Sequence, residues 1–303
     1  MNLKEHLKKN GIDENLIRLI LLVSEKTKTI QKAFHTHTGQ SDTHNIYGEK
    51  QLKLDKWADE VLINAFRESN LVRTIASEEQ QDIIEIIKSE GSYGVVFDPL
   101  DGSSLVGVNL SIGTIVGIFD EGNVLEKGSL LDAVVYVIYG PLTTLTYTVK
   151  KGVHEFVLTD EGDYILSKEN IRIPEGNIYA PGALRKDWLH FHRRYIDELE
   201  KKGFKLRYSG SFVADFNQIM HRGGVFTYPA DKKHKSGKLR LLFEVNPLSF
   251  IATQAGGKAS DGRQNILNIK PKAIDDRVPV YIGSKSAIDL IEEFKKQEEG
   301  EVK

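Results

Sequence analysis

Three absences limit what this sequence can be. The 303 residues include no cysteine, which excludes a disulfide framework, a thiolate metal site, a cysteine nucleophile and a thiol-based redox switch. The apolar run at residues 16–23 is interrupted by Arg18 and is too short to span a bilayer, and no small-residue cleavage site follows it. The 41 basic and 43 acidic residues give a net charge of −2, so no global field attracts nucleic acid or an anionic membrane. We therefore expect a cytoplasmic protein with neither as a partner, in which any anion site is built locally.

The composition is that of an ordinary globular protein, with 40% hydrophobic and 28% charged residues. The length suits about two domains, and Pro174-Glu175-Gly176 predicts a boundary between residues 1–175 and 176–303. Helix-type and strand-type patterns alternate irregularly along the chain. This mixture favours a layered α+β or α/β architecture over a single class.

Hydrophobic periodicity predicts most of the individual elements. Apolar spacing predicts amphipathic helices at residues 13–33 and from Lys53, and the polar stretch 36–51 between them predicts a mobile loop. A strand over residues 93–97 should end at Asp98, because Pro99 restricts the residue before it to extended conformations. Further predictions are a strand at 110–118, a buried helix at 129–139, a hairpin at 142–158, a helix near 186–202, a strand at 224–228, a strand or helix start at 239–245 and a charged helix from 288 to 303.

The strongest chemical signal is the segment Asp98-Pro99-Leu100-Asp101-Gly102-Ser103-Ser104. Two carboxylates three residues apart across a proline turn can converge on one hard cation, and the Leu100 carbonyl can join them. Gly102 allows close backbone approach, so that the N–H groups of Gly102, Ser103 and Ser104 can point at phosphate oxygens. A helix beginning there would add its positive end. The alternative is a plain surface turn, which uses the same residue types; the apolar strand before the segment argues against it.

Further acids lie elsewhere along the chain. Glu78 and Glu79 are adjacent, which usually indicates a solvated face, but a strand at residues 71–75 would deliver them to a sheet edge. Asp55 lies on the preceding predicted helix, and Glu49 lies in the polar loop. Glu244 interrupts an apolar run, where an unpaired carboxylate is costly. Its partner could be a metal ion or a nearby basic residue, Arg240 or Lys238, and both interpretations stay open.

Basic and hydroxyl-bearing residues that could recognise phosphate lie in the second half of the chain, at Arg207-Tyr208 and from Tyr228 to Lys238. A charge run alone is more often soluble surface, which is the alternative for residues 232–235. The histidines form no evident ligand set. His190 and His192 are predicted to lie on a helix surface.

Six segments in the same order resemble class I fructose-1,6-bisphosphatases, within the larger group that includes sedoheptulose-1,7-bisphosphatases and inositol monophosphatases. The resemblance covers nearly the whole chain from about Asn45 onward. The segments are Ser77-Glu78-Glu79, FDPLDGSS from Phe97, SIGTIVGIF from Ser111, LRYSGS from Leu206, TYPADKK from Thr227 and KLRLLFEVNPL from Lys238.

The resemblance implies a layered α+β or α/β sandwich of the sugar-phosphatase type. The N-terminal domain would carry most metal ligands and the C-terminal α/β domain would bind the sugar phosphate. Implied ligands of roughly two or three Mg²⁺ ions, with Mn²⁺ as a substitute, are Glu78, Asp98, the Leu100 carbonyl, Asp101 and Glu244. Glu79, paired with Asp55, would prepare the attacking water, and Glu49 would join them when the loop closes.

The same resemblance implies how a small sugar bisphosphate is held. Asp101, Gly102, Ser103 and Ser104 would hold the phosphate that is removed, and Lys238, Tyr228, Tyr208 and Arg207 the sugar and its far phosphate. In related enzymes the counterpart of Arg207 reaches into a neighbouring subunit's site, which implies a homodimer or homotetramer.

The implied reaction is Mg²⁺-dependent hydrolysis of the 1-phosphate of fructose 1,6-bisphosphate. Residues 179–185 are more similar to sedoheptulose-bisphosphatases, so that activity or dual specificity is an alternative. Further alternatives are an inositol-monophosphatase-like enzyme, against which Arg207 and Lys238 argue, and a non-catalytic sugar-phosphate sensor, against which the full carboxylate set argues.

Overall fold

Two β-sheets organise the part of the chain that the computed structural model describes, residues 1–34, 40–44, 50–87 and 89–301. The first elements are α1 (Leu3–Lys9), α2 (Glu14–Ala33), β1 (Gln40–His44), β2 (Lys50–Leu52) and α3 (Lys53–Glu68). Eight strands follow: β3 (Val72–Ser77), β4 (Ile84–Glu85), β5 (Tyr93–Asp101), β6 (Ile112–Phe119), β7 (Ala133–Tyr139), β8 (Thr143–Thr148), β9 (Val153–Leu158) and β10 (Tyr164–Lys168).

These eight strands form one sheet in the order β10-β9-β8-β7-β6-β5-β3-β4. Strands β3 and β5 run parallel, and the other neighbours are antiparallel. Every residue of β5, β6 and β7 is buried. Such strands read as continuous apolar runs because both faces of the sheet are covered.

The second sheet belongs to the C-terminal part. Its elements are β11 (Ile178–Pro181), α4 (His190–Lys201), β12 (Lys205–Leu206), α5 (Phe212–Arg222), β13 (Val225–Tyr228), β14 (Leu239–Arg240), a π-helical turn (Leu241–Val245), α6 (Asn246–Gln254), β15 (Lys258–Ser260), β16 (Arg277–Val278), β17 (Val280–Gly283) and α7 (Lys285–Glu301). The sheet has the order β12-β11-β13-β17-β15, and β14 pairs with β16 outside it.

Three hydrophobic clusters show how the layers stack. One joins α1, α2 and α3 to a face of the large sheet. A second joins the opposite face to α5, α6 and the small sheet. The third joins the outer face of the small sheet to α4 and α7. The resulting order is helices, sheet, helices, sheet, helices, which confirms the predicted layered sandwich. None of the helices in the described ranges combines the length and apolarity needed to cross a membrane.

Elements with a clear local pattern are confirmed. Helices α2 and α3, the β8–β9 hairpin, α4 and β13 lie where periodicity predicts them. The segment 239–245 is predicted to be a strand or the start of a helix. It contains both, a two-residue strand followed by a helical turn. The domain boundary at Pro174-Glu175-Gly176 stays a prediction.

Four predictions are wrong in part or whole. The helix predicted at 129–139 is strand β7, because a continuous apolar run also suits a strand buried on both faces. Strand β5 continues past Asp98 to Asp101. In the predicted loop 36–51, residues 40–44 pair with 50–52 as antiparallel strands. His192 is fully buried rather than on a helix surface, because it shares the apolar face of α4 with Tyr195 and Ile196.

Candidate active site

An irregularity in β5 brings the two aspartates of the DPLDGSS segment together. Asp98 pairs with Ile115 and Asp101 pairs with Gly113, so three steps on β5 match two on β6. In a regular strand residues three apart face opposite sides, and the extra residue removes that difference. Pro99 suits this place because it has no N–H to contribute to the ladder. Its carbonyl accepts a hydrogen bond from the Thr114 hydroxyl at 2.8 Å.

The other acids arrive from three separate elements. Asp55 lies in the first turn of α3. Glu78 and Glu79 directly follow the end of β3, which runs parallel to β5, so they emerge beside Asp98. The N–H group of Glu78 donates to the carbonyl of Phe97 at 3.1 Å. Glu244 lies in the π-helical turn that precedes α6.

These residues line one cavity of about 520 Å³. Its walls combine carboxylates, a glycine-serine loop and two basic residues. The lining residues are Asp55, Glu78, Glu79, Asp98, Leu100, Asp101, Gly102, Ser103, Ser104, Lys238, Leu239, Arg240 and Glu244. Of the predicted site residues, Arg207, Tyr208 and Tyr228 are not in this lining, and Glu49 lies outside the described residues.

Three carboxylates form the most concentrated negative charge in the cavity. Asp98, Asp101 and Glu244 are at most 7% exposed, and their oxygen atoms lie within 4.8 Å of one another. Burial, followed by the charges of Glu78 and Asp101, raises the pKa of both Asp98 and Glu244 well above its usual range. Burial also raises the pKa of Asp101 to about 6. Buried like charges at this distance are costly without a cation, and clustered carboxylate oxygens are the ligands that hard divalent cations prefer. The donor set therefore fits a divalent metal ion.

The C-terminal part fixes the position of Asp101. One carboxylate oxygen accepts from the Ser211 hydroxyl and from the Val213 N–H, both at 2.8 Å. Ser211 is the N-cap of α5 and also accepts from the Ala214 N–H at 3.2 Å. Asp101 therefore sits at the positive end of that helix. Ser211 and Val213 were not predicted as partners of Asp101; the serine directly before the apolar run of α5 was the available signal for the cap.

Arg240 is the cation beside the acids. Its backbone N–H donates to the Glu244 carboxylate at 2.6 Å, and its side-chain Nε lies 3.6 Å from a Glu78 oxygen. The basic-residue interpretation of Glu244 is supported by this backbone hydrogen bond and by the charge of Arg240, which opposes the rise in the pKa of Glu244. The guanidinium is 3% exposed and faces Glu78. One buried guanidinium does not balance the charges of Glu78, Asp98, Asp101 and Glu244 when all four are ionised, so the site is suited to a further cation.

The glycine-serine loop has the shape that its sequence predicts. Gly102 has φ +82°, in the left-handed region that favours glycine. A side chain there would come within 2.5 Å of the Ser211 Cβ atom. A 3₁₀ helix begins directly afterwards at Ser103 and ends at Val108. Gly102 is therefore required both by its backbone angle and by close contact with the segment that holds Asp101.

Of the predicted sugar-binding residues, Tyr208 lies three residues before Ser211, which donates to Asp101 in the cavity. Burial raises the pKa of Tyr208 to about 12, with further contributions from the charges of Tyr228, Asp215 and Asp101. The ring of Tyr228 packs against Gly182, where a Cβ atom would approach it to 2.2 Å. Arg207 is exposed, and its backbone N–H donates to the Tyr179 carbonyl at 3.0 Å.

Comparison with known proteins agrees with this arrangement. A family model described as the fructose-1-6-bisphosphatase N-terminal domain matches residues 2–169, and one described as the C-terminal domain of the same family matches residues 173–296. The class 1 fructose-1,6-bisphosphatase of Methanocorpusculum labreanum is 49% identical, over 96% of this chain and 90% of that protein. The corresponding protein of Methanospirillum hungatei is 50% identical, over 97% and 95%.

A solved structure is similar over the same extent. The Leishmania major fructose-1,6-bisphosphatase in its holo form superposes with a TM-score of 0.93 and 30% identity, covering 98% of this chain and 99% of that one. Both domain models and full-length relatives thus agree, and this chain belongs to the class 1 fructose-1,6-bisphosphatase family.

Proposed function

We propose that this chain hydrolyses the 1-phosphate ester of fructose 1,6-bisphosphate to fructose 6-phosphate and inorganic phosphate in a Mg²⁺-dependent reaction. The observation that carries the proposal is the convergence of Asp98, Asp101 and Glu244 within 4.8 Å in a cavity that also contains Ser103, Ser104 and Lys238. Carboxylates to hold divalent cations and donors to hold phosphate lie together there. Relatives named as fructose-1,6-bisphosphatases support the choice of substrate.

The carboxylate set provides for the metal ions. We propose that roughly two or three Mg²⁺ ions, or Mn²⁺ in their place, bind to Glu78, Asp98, the Leu100 carbonyl, Asp101 and Glu244. When bound, these ions neutralise the phosphate and stabilise the leaving oxygen. Asp101 is already held by Ser211 and Val213, so its ligand oxygen needs little rearrangement.

The remaining groups of the cavity divide the other tasks. The Gly102 backbone and the hydroxyls of Ser103 and Ser104 receive the oxygens of the phosphate that is removed. Glu79 accepts the proton of the attacking water at its carboxylate, and Asp55, which lines the same cavity, orients it. Glu49 is proposed as a third acid on the sequence evidence alone.

The far end of a bisphosphate needs a second anion clamp. Lys238 lines the cavity, and we assign Tyr208 and Tyr228 to the same clamp on the resemblance of their segments to the family. Arg207 is exposed and lies outside the cavity lining. Because its counterpart in related enzymes reaches into a neighbouring subunit's site, we propose a homodimer or homotetramer in which Arg207 of one copy serves the site of another. Sedimentation velocity of the purified protein tests this assembly; a monomer at assay concentration that is fully active would contradict it.

Phosphate release by the purified protein tests the proposed function. Fructose 1,6-bisphosphate, sedoheptulose 1,7-bisphosphate and inositol 1-phosphate are compared with Mg²⁺ and after chelation. We expect Mg²⁺-dependent release from fructose 1,6-bisphosphate, and in ¹⁸O-labelled water we expect the label in phosphate and none in the sugar. A preference for the sedoheptulose ester would replace the substrate but keep the chemistry. Release from the inositol ester alone, or from none of the three, would contradict the proposal.

A further inference from the structure

A carboxylate that the reaction described above does not use lies directly behind the acid pair Glu78–Glu79. Asp59 is on α3, one turn beyond Asp55, and is 2% exposed. Residues four apart on a helix share a face, so Asp59 points to the same side as Asp55. A carboxylate buried this deeply is retained only where hydrogen bonds compensate its desolvation.

Both of its oxygens are occupied, and both bonds lead to the same short segment. The Ser77 hydroxyl donates to Asp59 Oδ1 and the Gln80 side-chain amide donates to Oδ2, each at 2.5 Å. Ser77 directly precedes the acid pair and Gln80 directly follows it. One carboxylate therefore holds both ends of the four-residue segment 77–80.

Further hydrogen bonds within the segment fix the backbone of the two acids. The Glu79 N–H approaches the Ser77 hydroxyl oxygen at 3.3 Å, and the Gln80 N–H donates to the Ser77 carbonyl at 3.2 Å. The Glu78 N–H donates to Phe97, the residue before Asp98. The segment is thus fixed to α3 on one side and to β5 on the other, and its two acids are left to face the cavity.

We infer that Asp59 is a positioning residue, which sets the orientation of Glu78 and Glu79 toward the divalent cations and the attacking water through Ser77 and Gln80. The inference rests on the proposed function, since it assigns Asp59 a task in the same reaction. Partners that orient metal-binding groups commonly change metal affinity or activity by about tenfold to a hundredfold when they are removed.

Three variants test this assignment against a merely structural role. Asp59→Leu removes both acceptors while keeping the branched shape of the side chain, and Ser77→Ala removes one donor. Asp59→Asn can keep both bonds, because the Gln80 amide can turn and present its oxygen. For Asp59→Leu we expect the Mg²⁺ concentration at half-maximal activity to rise about tenfold and kcat to fall about thirtyfold, with little change in KM for fructose 1,6-bisphosphate. Ser77→Ala should show the same changes at about threefold, and Asp59→Asn should restore values near those of the wild type.

The control is Glu155→Gln, which changes another buried carboxylate, on β9 and outside the cavity lining. It should lower the melting temperature and leave the Mg²⁺ dependence unchanged. Loss of melting temperature in Asp59→Leu with wild-type Mg²⁺ dependence and kcat would overturn the inference. If that variant does not fold, unchanged kinetics of Ser77→Ala would overturn it equally. A wild type without Mg²⁺-dependent phosphate release would instead remove the proposed function.

Discussion

The three clustered carboxylates of the cavity and the single buried carboxylate of Glu155 on β9 are charge-compensated in opposite ways. In the cavity, Asp98, Asp101 and Glu244 lie within 4.8 Å of one another, and the pKa of each is raised. On β9, Glu155 is 4% exposed and accepts from His221 at 2.7 Å and pairs with Lys168 at 3.1 Å. Burial alone would raise the pKa of Glu155, but these two partners hold it below its usual range.

The difference separates a structural ion cluster from a binding site. The Glu155 cluster joins β9 and β10 to α5, and its charges are balanced by the protein itself. The lining of the cavity contains six carboxylates and two basic residues, of which only Arg240 is buried. Folding such a group of like charges costs stability, and it can be retained where a cation from outside offsets the cost. The comparison therefore predicts that the same type of substitution has opposite effects in the two places.

The largest expected effect comes from removing one charge in each cluster without changing shape. Asp98→Asn should lower kcat by about a thousandfold or more, because a proposed cation ligand is lost. The bond from the Leu100 N–H at 2.9 Å can be kept by the asparagine oxygen, so the fold should persist. The melting temperature of the metal-free variant should rise by a few degrees, since like-charge repulsion is relieved. Glu155→Gln should instead lower it by a few degrees and leave kcat unchanged. Calorimetry measures the melting temperatures and phosphate release measures kcat. A melting temperature that changes in the same direction in both variants would contradict the comparison.

The pH dependence of stability should also differ in sign. Carboxyl groups of the unfolded chain have pKa values near 4. In the folded protein the pKa of Asp101 is raised to about 6, and the pKa values of Asp98 and Glu244 are raised well above their usual range. Between these values the folded metal-free protein binds more protons than the unfolded chain, so this cluster makes stability fall as pH rises from about 4 through 6 and beyond. Glu155 has a lowered pKa, so its contribution is present above about pH 4 and is lost as pH falls further. Melting curves of the wild type and Asp98→Asn from pH 4 to 8 with a chelator check this; identical slopes would exclude it. Saturating Mg²⁺ should abolish the loss at high pH.

The smallest effect should come from one partner of the balanced cluster. The Lys168 side chain is 51% exposed, so its ion pair with Glu155 is screened by water. Lys168→Met should cost less than about 1 kcal/mol of unfolding free energy, because His221 still donates to Glu155. Denaturant titration at low and high salt measures it. A loss larger than that of Glu155→Gln would show that the charges are not balanced as the geometry indicates.

Local sequence patterns predicted the elements well where one face is apolar. Helices α2 and α3 follow from spacing alone, and the β8–β9 turn from Lys151-Gly152. The same method failed at β7, because a strand covered on both faces has no alternation that distinguishes it from a buried helix. His192 was misplaced for a different reason. Residues 192, 195, 196 and 199 have the spacing of one helix face, and all four are buried, so the spacing indicates burial of His192 although it was predicted on the surface.

The cavity's carboxylates could be named from sequence because they lie in short distinctive motifs. The hydrogen-bonded residues that position these carboxylates could not be named from the sequence. Asp59 and Ser77 are 18 positions apart, and Asp101 and Ser211 are 110 apart. Such pairs are made by the packing of α3 and α5 against the strands, and no local spacing records them. The strand bulge at Pro99 is similar, since proline predicted an end to β5 and instead marks the irregularity that turns Asp101 toward Asp98.

Calorimetric titration of Mg²⁺ into the chelator-treated protein tests most directly whether the unbalanced cluster is a divalent cation site. In the wild type we expect saturable binding with release of protons, because part of the cluster is protonated before the cation enters. Asp98→Asn should bind at least about tenfold more weakly, and Glu155→Gln should bind as the wild type does. Absence of saturable binding, or equal binding by the wild type and Asp98→Asn, would show that the carboxylates of the cavity serve another purpose.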